Sequence, residues 1–228
     1  MEKRVKVIIG LACVAAVTFA MATTSRAQNL LTDPGAENEI SAPNPNPTGI
    51  PGWSFFGGAS FLTTPNAHTG TNVIYEPAGG GGYSVPGAFQ NIPAVGGQTF
   101  TLSGWVYTPN VLVSNSNDFA ILQMQFWSGA GYSNANGGAV GVNIGTPIGP
   151  GPTTVALPQG TWTHASITAV APAGASGVSA YGLDINADAN ATFYFDDLSL
   201  TVVPEPSSIV LVATGLFGLV AIARKRRA

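Results

Sequence analysis

The sequence predicts an all-β fold, an antiparallel β-sandwich carried between an N-terminal signal helix and a C-terminal transmembrane helix. Three observations lead there. Stretches alternating apolar with polar residues recur between turns rich in Gly, Pro and Asn, the pattern of short half-buried strands. No interior stretch repeats apolar residues at helical spacing. All eight Lys and Arg residues (Lys3, Arg4, Lys6, Arg26, Arg224, Lys225, Arg226 and Arg227) lie at the two chain ends, each set beside an uncharged apolar run.

At the start, Lys3, Arg4 and Lys6 precede the apolar run 7–22, and Ser25-Arg26-Ala27 places small residues at both cleavage-determining positions. That is the layout of a secretory signal peptide, residues 1–27, read by the Sec translocon; an uncleaved N-terminal anchor is the alternative. Residues 28–202 then form one domain of about 175 residues, long enough to bury a sizeable core.

Within the domain, strands are expected at 73–76, 99–107, 119–127, 161–170, 178–185 and 191–202. In 119–127, Leu122, Met124 and Phe126 share one face, while Ile121, Gln123, Gln125 and Trp127 share the other. The proline-rich stretch 43–47 and the run Gly79–Gly82 read as loops; without a Lys or a strand–helix context the glycines suggest no phosphate site. Trp53, Trp105 and Trp162 fit core positions.

The chain ends with Val203-Pro204-Glu205-Pro206, an uncharged run 207–223 and the cluster Arg224-Lys225-Arg226-Arg227. Seventeen residues make a helix of roughly 26 Å, near the lower limit for a membrane span. The cationic cluster would stay in the cytoplasm and place everything before it outside.

Composition sets limits on the chemistry. Residues 28–206 hold ten of the eleven acidic residues and no Lys or Arg, so the exported part carries about −10. Such a surface repels phosphate backbones and excludes a nucleic-acid partner. Its carboxylates must be solvated, hydrogen-bonded or bound to a cation. The single cysteine, Cys13, lies in the signal peptide, so the domain has no disulfide, thiol nucleophile or Cys-containing zinc site.

The C-terminal triplet, apolar span and basic cluster, residues 203–228, resemble the PEP-CTERM sorting signal of Gram-negative bacteria. The resemblance implies recognition by an exosortase, a membrane-embedded cysteine protease, with cleavage near Pro204-Glu205-Pro206. A membrane-anchored precursor would then be delivered to the cell surface or extracellular matrix.

A second resemblance covers the domain. Asn29 to Glu37, then Gly52-Trp53 and His68-Thr69-Gly70, resemble the opening of galactose-binding-like jelly-roll carbohydrate-binding modules, with Ala36 where an aromatic residue is usual. Phe89-Gln90-Asn91-Ile92 before Gly97–Val106 is similar to their central hairpin, and Phe193–Leu200 to their closing strand. The fold implied is a jelly roll, with one structural Ca²⁺ joining the first and last segments. Glu37 or Glu39 with Asp196 or Asp197 supplies hard oxygen ligands, and carbonyls near His68-Thr69-Gly70 can complete the shell. Strand alternation sends Asp196 and Asp197 to opposite faces, and the expected pair is Glu37 with Asp197.

Sugar recognition requires an aromatic platform for the C–H face of the ring, with amides to read hydroxyls. Gln123, Gln125 and Trp127, followed by Tyr132, are the expected ligand-binding residues; Tyr83 and Trp105 are further platforms. Neither a Gly-x-Ser-x-Gly elbow nor a His-Glu-x-x-His motif occurs, and no catalytic residue is assigned. The expectation is therefore an exported, non-catalytic protein that binds polysaccharide. The alternatives are a structural matrix protein without a specific ligand and a glycoside hydrolase using a pair among Asp184, Asp188, Asp196 and Asp197.

Overall fold

The structure, a computed structural model, describes residues 27–38, 52–78, 85–110, 118–129, 133–145, 154–185, 191–203 and 215. Gln28–Val203 makes a compact unit. The anticipated signal peptide and transmembrane helix lie outside the described residues, and among those residues no helix is long and apolar enough to cross a membrane.

Two sheets face each other. The first has six strands, in the order β1 (Ser54–Phe56), β4 (Gly87–Pro93), β10 (Gly177–Ile185), β6 (Phe119–Ser128), β7 (Ser133–Gly145) and β8 (Thr154–Val155). The second has five, in the order β2 (Ser60–Thr63), β3 (Asn72–Glu76), β11 (Phe193–Val202), β5 (Thr99–Tyr107) and β9 (Thr163–Val170). All pairings are antiparallel except that of β7 with β8.

Alternation accounts for the core. Along β5 and β6 every second residue is buried, so Phe100, Leu102 and Val106 meet Leu122, Met124 and Phe126 between the sheets. Phe193, Phe195, Leu198 and Leu200 of β11 add to them, and each fully buried phenylalanine contributes up to about 3 kcal/mol of transfer free energy. The chain crosses from one sheet to the other between β4 and β5, so the expected hairpin of Phe89–Ile92 with Gly97–Val106 is not formed. β4 instead pairs with β1 and β10, and β5 with β11 and β9. The crossover is held by Gly97 N–H donating to Ala171 O at 2.8 Å and Ala171 N–H donating to Gln98 O at 2.8 Å.

β11 carries an extra residue. Asp196 pairs with Trp105 and Ser199 with Ser103, so two residues oppose the single Gly104. Asp197 takes φ 48° there. This bulge lets Phe195 and Leu198 both point inward, with Leu198 filling the space where a Gly104 side chain would stand. The N-terminal segment runs beside the bulge. Leu198 N–H donates to Pro34 O at 3.1 Å, Asn29 Nδ2 donates to Leu198 O at 2.9 Å, and Leu30 N–H donates to Leu200 O at 2.8 Å.

Candidate functional site

The outer face of the six-stranded sheet brings the predicted sugar-contacting residues together. Register sets it out in rows across the strands. Phe89 of β4, Tyr181 of β10 and Gln123 of β6 form one; Asn91, Ser179 and Gln125 form the next; Pro93, Gly177 and Trp127 form the third. Gln123, Gln125 and Trp127 are half-buried, on the face opposite the core. Tyr132 lies outside the described residues, as does Tyr83.

Trp127 is held in a particular posture. A Cβ placed on Gly177 would collide with Cζ2, Cε2 and Cη2 of the indole, so the ring lies across the neighbouring strand. Only a residue without a side chain allows that close approach. Beside it, the buried Ser179 hydroxyl bonds to Asn91 Oδ1 at 2.5 Å. Tyr181 stacks on Phe89 with centroids 5.2 Å apart and planes at 29°, and Phe89 meets Phe56 at 6.1 Å. The face thus combines rings with amides and a hydroxyl. Sequence reasoning missed Phe56, Phe89 and Tyr181, because only the cross-strand register shows that they stand level with Gln123 and its neighbours.

The opposite sheet corrects the tryptophan expectation. Trp53 is buried, its Nε1 donating to Asp33 O at 2.9 Å, but Trp105 and Trp162 are half-buried on the outer face of the five-stranded sheet. The reason is parity: Phe100, Leu102 and Val106 already take the inward positions of β5, and Trp105 falls between them. Tyr75, Tyr194 and Tyr107 align across β3, β11 and β5, and Trp162 follows Tyr107 at 5.3 Å. Successive tyrosine centroids are 5.9 and 5.5 Å apart, close to strand spacing. Burial, then the adjacent Tyr75 and Tyr107, raise the pKa of the Tyr194 phenol.

The bulge also corrects the reading of Asp196 and Asp197, whose carboxylates reach the same loop. Asp196 Oδ2 accepts the N–H groups of His68 at 2.9 Å and Thr69 at 3.0 Å. Asp197 accepts the Thr69 hydroxyl at 2.7 Å and contacts His68 Nδ1 at 2.7 Å. His68 in turn stacks on Trp105 at 4.1 Å. Burial raises the Asp196 pKa to about 6, opposed by the Thr69 N–H; the Asp197 charge raises it further, while the N–H groups of Asp197 and His68 lower it. Glu37 comes from the N-terminal segment, its Oε1 accepting the N–H groups of Thr71 at 3.0 Å and Asn72 at 2.9 Å.

Gly35 marks where these groups converge. A Cβ there would stand 3.4 Å from Asp196 Oδ1, 3.6 Å from Asp197 Oδ1 and 3.7 Å from Glu37 Cγ. The backbone at 68–72 presents N–H groups, not carbonyls, to the carboxylates. Glu39 and Asp188 lie outside the described residues. Within the sorting stretch Val203 is described, its N–H donating to Thr99 O at 2.8 Å, whereas Pro204, Glu205, Pro206 and Arg224–Arg227 lie outside.

Comparison with known proteins adds to this geometry. Residues 202–227 match the PEP-CTERM protein-sorting motif. No curated protein matches the chain. Among solved structures, it is similar to the enzymatically active domain of tailspike protein 4 of bacteriophage CBA120. The identity is 14% over 77% of this chain and 21% of that chain, with a TM-score of 0.50. The carbohydrate-binding module TmCBM61, solved in complex with beta-1,4-galactotriose, is 14% identical over 78% of this chain and 100% of its own, with a TM-score of 0.48. A family 16 carbohydrate-binding module is 18% identical over 76% and 99%, with a TM-score of 0.49. These likenesses concern the fold. The chain therefore ends in a match to the PEP-CTERM signal, which marks an exported protein processed at the cell envelope, and the β-sandwich before it is similar to carbohydrate-binding modules.

Proposed function

We propose that this chain is an exported, non-catalytic protein whose jelly-roll module binds a polysaccharide along the outer face of the six-stranded sheet. Sec export, a C-terminal membrane helix and exosortase cleavage near Pro204-Glu205-Pro206 would carry it to the surface or matrix of a Gram-negative bacterium. The observation behind the binding assignment is the posture of Trp127 over Gly177, in register with Gln125 and Gln123. An indole lying along a sheet suits the apolar face of a pyranose, and amides one and two rows away suit its hydroxyls. The test is affinity electrophoresis of residues 28–203 in gels containing the producer's exopolysaccharide, with Trp127→Ala alongside. Retardation that disappears in the variant supports the assignment; migration unaffected by any polysaccharide overturns it and favours a structural matrix role.

One Ca²⁺ at the junction of the first and last segments belongs to the same reading. The donor types suit calcium: Asp197 brings a hard oxygen beside Gly35, and Glu37, whose Cγ stands at the same point, would have to swing its carboxylate away from the Thr71 and Asn72 N–H groups to join it. His68 Nδ1 and Thr69 Oγ1 now occupy Asp197, so binding there requires the imidazole to turn aside. Melting with and without chelator, for wild type and Asp197→Asn, decides the point. Chelation should lower the wild-type midpoint by more than it lowers that of the variant.

A further inference from the structure

At one end of the sandwich, away from the junction just described, carboxylates are sealed between the sheets. Glu76, the last residue of β3, and Asp184, near the end of β10, are both fully buried. All four of their carboxylate oxygens lack a hydrogen-bond partner. The Ala88 N–H approaches Glu76 without reaching hydrogen-bonding geometry. Asp118, just before β6, is equally buried and close enough to act electrostatically on Asp184. Burying an isolated carboxylate costs many kcal/mol unless it is neutralised, and residues 28–206 contain no Lys or Arg to do so.

The placement follows from strand parity. Val178, Ala180, Gly182 and Asp184 occupy the inward positions of β10, and Gly182 packs on the Phe195 ring of β11. Two residues further along, Asp184 reaches the level of Glu76, which pairs with Phe193. One carboxylate thus comes from each sheet, with a third beside the second. Thr108, also buried, follows β5 directly, its Oγ1 accepting the Asn110 N–H at 3.2 Å.

We propose that Glu76, Asp184 and Asp118 bind a divalent cation, Ca²⁺, that bridges the two sheets at this end. Three carboxylates supply the hard oxygens that calcium takes, in a geometry looser than the octahedron Mg²⁺ demands. Among the described residues no three acidic, His or Cys side chains already form a ligand group, so the ion draws Glu76 toward the pair on the other sheet. A proton shared between Glu76 and Asp184 is the competing way to neutralise them, and it predicts no calcium binding at this end.

The experiment counts calcium on the full-length chain in detergent by equilibrium dialysis, and follows melting with 10 mM calcium or chelator. Binding should fall within about 10⁻⁴–10⁻³ M, the range of extracellular modules. The Glu76→Gln/Asp184→Asn variant should lose one bound equivalent and most of a calcium-induced rise of about 5 °C. Glu37→Gln/Asp197→Asn, at the junction, should keep that equivalent, which separates the two sites. If the first variant does not fold, Asp118→Asn replaces it and should weaken the same equivalent at least tenfold. Equal stoichiometry and equal calcium-induced shifts in wild type and variants at this end overturn the proposal. So does a wild-type chain that binds no calcium, or binds it only at the junction.

Discussion

A methyl group at Gly177 would overlap the Trp127 ring, so Gly177→Ala is expected to lift the indole from the sheet and weaken polysaccharide retardation about tenfold. Gel mobility tests it, with circular dichroism confirming that the sheet persists. Asp196 illustrates a different dependence on a single residue. It is buried and accepts the N–H groups of His68, Thr69 and Asp197. Asp196→Ala would leave those donors unmatched and should cost about 3 kcal/mol in chemical denaturation. Alternation alone placed Gln123, Gln125 and Trp127 on one outward face. Their partners Asn91, Ser179 and Tyr181 were not legible, because register between strands distant in sequence leaves no local trace. The shared orientation of Asp196 and Asp197 was hidden likewise, since one inserted residue reverses the parity on which any face assignment rests.

Strands with strong alternation, β5, β6, β9, β10 and β11, were legible to within two residues at each end. β7 was not, because its sequence Ser-Asn-Ala-Asn-Gly-Gly has the composition of a loop; pairing with β6 makes it a strand. The short β1 and β2 carry too few residues to show a period. The bulge of β11 depends on Gly104, whose missing side chain is replaced by Leu198. Gly104→Ala should therefore cost about 1–3 kcal/mol through overpacking. A compensating Leu198→Ala should recover part of that loss in the double variant, as denaturant midpoints would show.

The interior carboxylates make the stability of the whole domain depend on pH in an unusual direction. Burial, followed by the charge of Asp118, raises Asp184 from 3.8 to about 8. Burial, followed by the charge of Asp184, raises Glu76 well above 4.5, with the Ala88 N–H opposing. Between about pH 4 and pH 8 the folded chain holds a proton at Asp184 that the unfolded chain has released, and the raised Glu76 acts in the same direction, so unfolding becomes easier as pH rises. In chelator, the melting temperature should fall steadily from pH 5 to pH 8, and Glu76→Gln/Asp184→Asn should flatten that slope. An unchanged slope would mean that these groups do not set it.

The row of Tyr75, Tyr194, Tyr107 and Trp162 gives the five-stranded sheet a colour of its own. Rings fixed 5.3–5.9 Å apart do not absorb as independent chromophores. Their transitions couple, and energy taken up by the phenols drains toward the indole at the end of the line. One sheet therefore emits through an antenna, while Trp127 sits on the other. Energy passed from the three tyrosines to Trp162 reports the integrity of the back of the sandwich, and quenching of Trp127 reports what happens on its front.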